Sequence, residues 1–277
     1  MLRSRILTAL ALLVLFLGAL FFLPVAGWAA LMAVAVGLAA WEWGGLARTT
    51  GATRLVYSLC AGVSVALFGW TSAGQTPWVA WSLFIAATLF WFVGVPAWFA
   101  RGRPPLVPSG LLAAGLLVLV PAGAAAVALR SPSPTGLLLV LAAVWIADTA
   151  AYFVGRRWGR RKLAPAISPS KTWEGLIGAL VAVAGFGALV SAQAEEAVGK
   201  DGFWNHPLWI TLGLVVLAAV SVVGDLFESA IKRHAGVKDS GTLLPGHGGV
   251  LDRVDSLTAA LPVAALLVMV TRGMGGA

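Results

Sequence analysis

Long apolar runs, interrupted at short intervals by proline, glycine and clustered charge, set the pattern of this chain. A helix needs about 20 mostly apolar residues to cross a bilayer. Nine segments answer to that requirement: residues 6–23, 27–47, 55–70, 78–100, 110–129, 135–154, 173–192, 208–229 and 254–271. Pro24, Gly51, Gly74 with Pro77, Pro104–Pro105 and the run Ser131–Pro132–Ser133–Pro134 fall between them, as breakers should. The predicted fold class is all-α, a polytopic membrane bundle of nine transmembrane helices.

An odd number of spans places the two termini on opposite faces of the membrane. With the N-terminus in the cytoplasm, the inner face receives all 19 Lys and Arg residues except Arg130, Lys200 and Arg272. That bias is what the positive-inside rule demands, and it supports the span count and the orientation together. The first apolar run follows Arg3 and Arg5 as a secretory signal would. It is longer than a signal's apolar region and continues past Pro24 into a second span, so it reads as an uncleaved helix. Trp28, Trp41, Trp43, Trp70, Trp78, Trp81, Trp91, Trp98, Trp158 and Trp173 mostly stand near span ends, where interfacial anchoring accounts for them.

Composition narrows the function. Of 277 residues, 60% are hydrophobic and 11% charged, against roughly 25% charged in a soluble domain, so an ordinary water-soluble enzyme is excluded. The single cysteine, Cys60, rules out a disulfide scaffold and cysteine-cluster metal sites, and reads as inert packing. His206, His234 and His247 are too scattered for a histidine-based metal site. The net charge of +8 reflects membrane topology in so apolar a chain, not nucleic-acid binding.

The eleven acidic residues carry more information. Glu195, Glu196 and Asp201 belong to a solvated outer loop. The remaining eight sit in or beside spans on the inner side, where a carboxylate is expensive without a partner, and five of them crowd into residues 225–255. Within that stretch Asp225, Glu228, Ser229 and Lys232 recur at i, i+3, i+4 and i+7, one face of a helix. A self-neutralising charge pattern at a helix end would give the same spacing. Asp225 follows a long apolar run, which favours a cation ligand over a surface ion pair.

The chain then runs through Lys238–Asp239–Ser240–Gly241 and Gly246–His247–Gly248–Gly249 into Asp252–Arg253–Val254–Asp255. Glycines let backbone N–H groups approach a phosphate. Asp252 and Asp255, one turn apart, offer the hard oxygens that suit Mg²⁺ shared with substrate phosphates. Lys232, Arg233, Lys238 and Arg253 supply the opposite charge. His247 either contacts a phosphate or base or caps its turn, and the role of Glu42 between two tryptophans is left open.

A second polar block places Asp148 inside the sixth span, four residues before Tyr152. Ser168–Pro169 reads as an N-cap and first turn, whose helix start with Lys171 nearby would make an anion site. Capping alone is the competing account of Ser168. Arg156, Arg157, Arg160, Arg161 and Lys162 read first as topological anchors, although a lipid phosphate would also be drawn to them.

The run Ser229-x-Ile231-Lys232-Arg233-x4-Lys238-Asp239-x-Gly241-x2-Leu244-Pro245-x-His247-Gly248-Gly249-Val250-x-Asp252-Arg253-x-Asp255 resembles the signature of phosphatidate cytidylyltransferases (CDP-diacylglycerol synthases). Residues 148–155, 168–175 and 224–229 are similar to further blocks of that family, in the same order. The first 130 residues match in hydropathy alone, so the reading divides a scaffold, residues 1–130, from a catalytic region, residues 131–277.

The resemblance implies a Mg²⁺-dependent reaction of CTP with phosphatidic acid at the cytoplasmic face of the cell's inner membrane, with a monovalent cation such as K⁺ as an optional companion and a homodimer as an expectation. It implies metal ligation by Asp225 and Asp252, with Asp255 or Asp148 as further ligands. Lys238, Arg253 and Lys171 would hold phosphates, and Ser168 would contact phosphate or metal. Lys232, Arg233 and Asp239 join the substrate-binding set, while Gly246, His247, Gly248 and Gly249 would shape the nucleotide site. A CTP-dependent lipid kinase and an ion-coupled transporter are the rival readings; crowding of charge in one inner-side loop favours phosphate chemistry over transport.

Overall fold

Each predicted span is helical in the computed structural model, which describes residues 2–71, 77–131, 133–197, 207–243 and 248–275, leaving aside the side chains of 2–10, 12, 193–197, 207 and 272–275. The helices are α1 (Leu2–Phe22), α2 (Val25–Leu46), α3 (Gly51–Thr71), α4 (Pro77–Leu89), α5 (Val95–Ala100), α6 (Pro108–Arg130), α7 (Pro134–Trp158), α8 (Trp173–Ala197), α9 (Pro207–Ala235) and α10 (Leu251–Gly275). A π-helical turn over Phe90–Gly94 joins α4 and α5 into one span. The ring of Pro96 would clash with the carbonyl four residues back in a regular helix, and the wider turn relieves that clash.

Among the described residues eight helical segments are long and apolar enough to cross a membrane, and the predicted spans from the second onward each fall on one. The first prediction falls on α1, whose described apolar stretch is Leu13–Phe22. Phe22, Val34, Leu67, Val93, Phe153, Val181 and Leu189 project outward. Lipid tails accept such a surface, whereas water would not. This is a multi-span membrane protein.

α6 occupies the centre, packed against α2, α3, α4, α7 and α10, while α7, α8, α9 and α10 pack in sequence beside it. Three tryptophans expected at the interface lie instead in the core: Trp28, Trp43 and Trp91 are at most 1% exposed. The indole N–H of Trp43 donates to the Leu111 carbonyl at 2.8 Å and that of Trp28 to Ala126 at 3.1 Å, which satisfies the polar edge of a buried ring. Trp70, Trp78, Trp158 and Trp173 are exposed and keep the interfacial reading.

The all-α expectation needs one correction. Lys162–Ala164 (β1) and Ser168–Thr172 (β2) form an antiparallel hairpin, with Lys162 opposite Thr172 and Ala164 opposite Ser168. Ser168 and Pro169 therefore do not begin a helix, and the predicted anion site at a helix start there does not exist. Proline lacks an N–H but is tolerated in an edge strand. The helix begins at Trp173, capped by Thr172, whose Oγ1 accepts the Gly175 N–H at 3.1 Å. Glu174 closes the hairpin's base by accepting the backbone N–H groups of Arg160 and Arg161.

Candidate active site

The polar residues of α9 do form one face, and aromatic packing fixes where it points. Phe227, 2% exposed, is surrounded by the rings of Phe90, Trp91 and Trp98, with centroids 5.4–5.6 Å away. At 100° per residue Asp225, Ser229 and Lys232 lie about 140–160° round the helix from Phe227 and Glu228 about 100°, so burying Phe227 turns this polar face away from the aromatic cluster. Gly224 brings α10 close: a Cβ there would stand 2.8 Å from the Asp255 carbonyl oxygen.

Two linked sets of contacts result. In the first, Lys171 from β2 reaches Asp225, Nζ to Oδ2 2.5 Å, and Ser229 donates its hydroxyl to Asp225 Oδ1 at 3.2 Å. The charge of Asp225 acts on both Asp148 of α7 and Asp255 of α10. Ser256 joins the latter two, donating its hydroxyl to Asp148 at 3.4 Å and its backbone N–H to Asp255 at 2.8 Å. In the second set, Lys232 donates to Asp252 Oδ1 at 2.6 Å and stands 3.2 Å from Glu228 Oε2. Asp252 also accepts backbone N–H groups of Ser240 and Gly249, at 3.0 and 2.9 Å.

Beside these contacts opens a cavity of about 430 Å³ lined by Ser168, Pro169, Ser170, Ser229, Lys232, Arg233, Lys238, Asp239 and Asp252. Six of the sequence-predicted site residues are thus gathered from β2, α9, α10 and the loop between those helices. Arg233 also ties that loop to the hairpin turn, donating to the carbonyls of Val237 at 3.0 Å and Ile167 at 3.4 Å. Asp148, Lys171, Asp225 and Asp255 belong to the neighbouring carboxylate group instead of the cavity wall. Arg253 is exposed and is not part of that wall. Gly248, at φ +83°, and Gly249 form the turn into α10, while Gly246 and His247 lie outside the described residues.

Among the described residues no three His, Cys, Asp or Glu side chains converge as a ready-made metal cage. The expected ligand set is divided: Asp252 is bonded by Lys232, Ser240 and Gly249, while Asp225, itself paired with Lys171, neighbours Asp148 and Asp255. The chemistry of the latter group still suits a hard cation. Neither carboxylate oxygen of the buried Glu228 receives a hydrogen bond, although Lys232 stands 3.2 Å from Oε2, and the group faces Asp255. Like charges held together away from water need a counter-charge or a shared proton.

The profile of the Cytidylyltransferase family matches residues 3–271. The chain belongs to that family. Among cytidylyltransferase relatives, the phosphatidate cytidylyltransferase of Pseudomonas aeruginosa is 42% identical, with 97% of each chain covered. That of Haemophilus influenzae is 38% identical over 95% of this chain and 96% of its own, and that of Brucella suis 38% identical over 77% and 82%.

For this cytidylyltransferase, sequence reasoning missed several participants. Ser240 and Ser256 hold acidic side chains in place without having been singled out; Ser229 does the same, and its i+4 spacing had already put it on the face of Asp225. Glu42 had no local signal: its carboxylate accepts hydrogen bonds from residues about 200 positions away.

Proposed function

We propose that this chain is a phosphatidate cytidylyltransferase, joining CTP to phosphatidic acid to give CDP-diacylglycerol and pyrophosphate. The observation that carries this reading is the full-length kinship with phosphatidate cytidylyltransferases, supported by a cavity that sets Lys232, Arg233 and Lys238 beside a group of carboxylates.

A phosphate oxygen of the lipid attacks the α-phosphorus of CTP, a new P–O bond forms, and the bond to the β-phosphate breaks with pyrophosphate leaving. No side-chain nucleophile is needed, since the lipid phosphate is anionic at neutral pH. The protein's task is to bring two polyanions together and to favour the charge on the departing group. Lys238 and Arg233 at the cavity, with Lys171 on the hairpin, supply cationic contacts to phosphate oxygens. Lys232, bonded to Asp252, is better read as holding the wall in shape.

Asp225, Asp255 and Asp148 would hold a Mg²⁺ ion, with Asp252 on the cavity side of the group. When bound, that ion supplies neutralisation of the facing phosphates. The distribution of Lys and Arg supports a site on the cytoplasmic side of the inner membrane, where CTP is found and the lipid head group arrives laterally. The test incubates purified protein with labelled CTP, phosphatidate and Mg²⁺. Labelled CDP-diacylglycerol and free pyrophosphate are expected; CDP with a phosphorylated lipid, or no CTP turnover, would overturn the reading.

A further inference from the structure

Glu42 is the first acidic residue of the chain, more than 100 positions before Asp148, and it is 1% exposed inside α2. A carboxylate buried in a membrane helix is costly unless it finds partners. Those of Glu42 all come from the far end of the sequence. Oε1 accepts the Val250 N–H at 3.0 Å, while Oε2 accepts the Leu251 N–H at 2.8 Å and the Ser240 hydroxyl at 3.1 Å. The carboxylate therefore sits on the positive end of α10, where a negative charge is favoured.

Asp252 takes the neighbouring donors, the N–H groups of Ser240 and Gly249. Ser240 thus links the two carboxylates, its hydroxyl on Glu42 and its N–H on Asp252. Two glycines of the signature run follow from the same contact. A Cβ at Gly241 would stand 2.6 Å from Glu42 Oε1, and one at Gly249 would collide with Glu42 Oε2 and the Ser240 hydroxyl.

We infer that Glu42 is a positioning residue for cytidylyl transfer: it clamps the loop between α9 and α10 so that Asp252, Lys238 and Asp239 stand in the cavity wall. It touches no reacting atom in this scheme, and its effect on catalysis is read through the proposed activity. Glu42→Gln tests the clamp with little change of shape. Both oxygens of Glu42 are acceptors, so the amide must turn its NH₂ group toward a donor and lose at least one of the bonds.

The expected result is a rise of about tenfold in KM for CTP, corresponding to about 1.4 kcal/mol, with KM for phosphatidate changed less than twofold. Ser240→Ala, which removes only the hydroxyl, gives the same split at smaller size and serves if Glu42→Gln does not fold. Hydrogen exchange of residues 240–251 reads the clamp without any turnover, and faster exchange in either variant is expected. Unchanged exchange, or equal losses against both substrates, overturns the inference. A wild-type protein that turns over no CTP overturns the proposed function alone, because the exchange arm still decides the clamp.

Discussion

Around α2, α3 and α6 the helices are held by shape, whereas around α7, α9 and α10 they are held by charge. In the first region, Glu42 apart, the polar groups of Trp28, Trp43, Tyr57, Arg54 and Arg130 end on backbone carbonyls, and apolar side chains fill most of the remaining space. In the second, Lys171, Lys232 and five carboxylates lie within a few side chains of one another. An apolar interface tolerates a methyl more or less at modest cost. A buried ionic one fails when a single partner is removed, because the remaining charge stays behind without compensation. Apart from Glu42, which reaches across to the start of α10, the first region is therefore expected to determine stability alone, and the second to determine stability and turnover together.

The sharpest way to break this contrast is Lys232→Met. It strands Asp252 and Glu228 and should cost about 3 kcal/mol of stability, lowering the thermal transition of the purified protein along with its turnover. Retention of either would show that the charges are compensated elsewhere. Asp225→Asn comes next: it keeps the shape, removes the charge that Lys171 meets, and should lower kcat by about 10²-fold in pyrophosphate release, with a smaller fall in thermal transition than Lys232→Met because both partners are 23% exposed. Lys238→Ala removes an exposed charge at the cavity and should raise KM for CTP about fivefold, since exposed contacts are worth about 1 kcal/mol at most. Trp28→Phe, in the region held by shape, should cost about 1 kcal/mol of stability for its lost hydrogen bond and leave turnover per folded molecule unchanged. A fall in turnover there would erase the distinction.

Much of the region held by charge was legible beforehand, because helical spacing is local information. The i, i+3, i+4, i+7 series from Asp225 to Lys232 needs only a helix to become a face, and α9 runs through to Ala235. Asp252 and Asp255 do stand on the first turns of α10, which begins at Leu251, but they do not act as the pair that their spacing suggests. Asp252 is held by Lys232, Ser240 and Gly249, and Asp255 joins Asp225 and Asp148. What escaped was non-local. Ser168–Pro169 has the local chemistry of a helix start, and pairing with Lys162–Ala164 overrode it. In an all-apolar helix, periodicity does not separate a face toward lipid from a face toward protein, so the inward rings of Trp43 and Trp91 carried no mark. Glu42 shows the same limit, since its partners are remote in sequence.

The ring of Phe227 among its aromatic neighbours also has a bearing on how this chain can vary. Chemistry and azimuth are written on opposite sides of the same rod. Exchanges on the wet side alter what is bound while the aromatic socket keeps the heading. A one-residue insertion between Phe227 and Lys232, by contrast, would swing everything beyond it by about 100° and carry Lys232 to the bearing now held by Arg233, away from Glu228 and Asp252. Point changes are open to α9, and length changes there are closed.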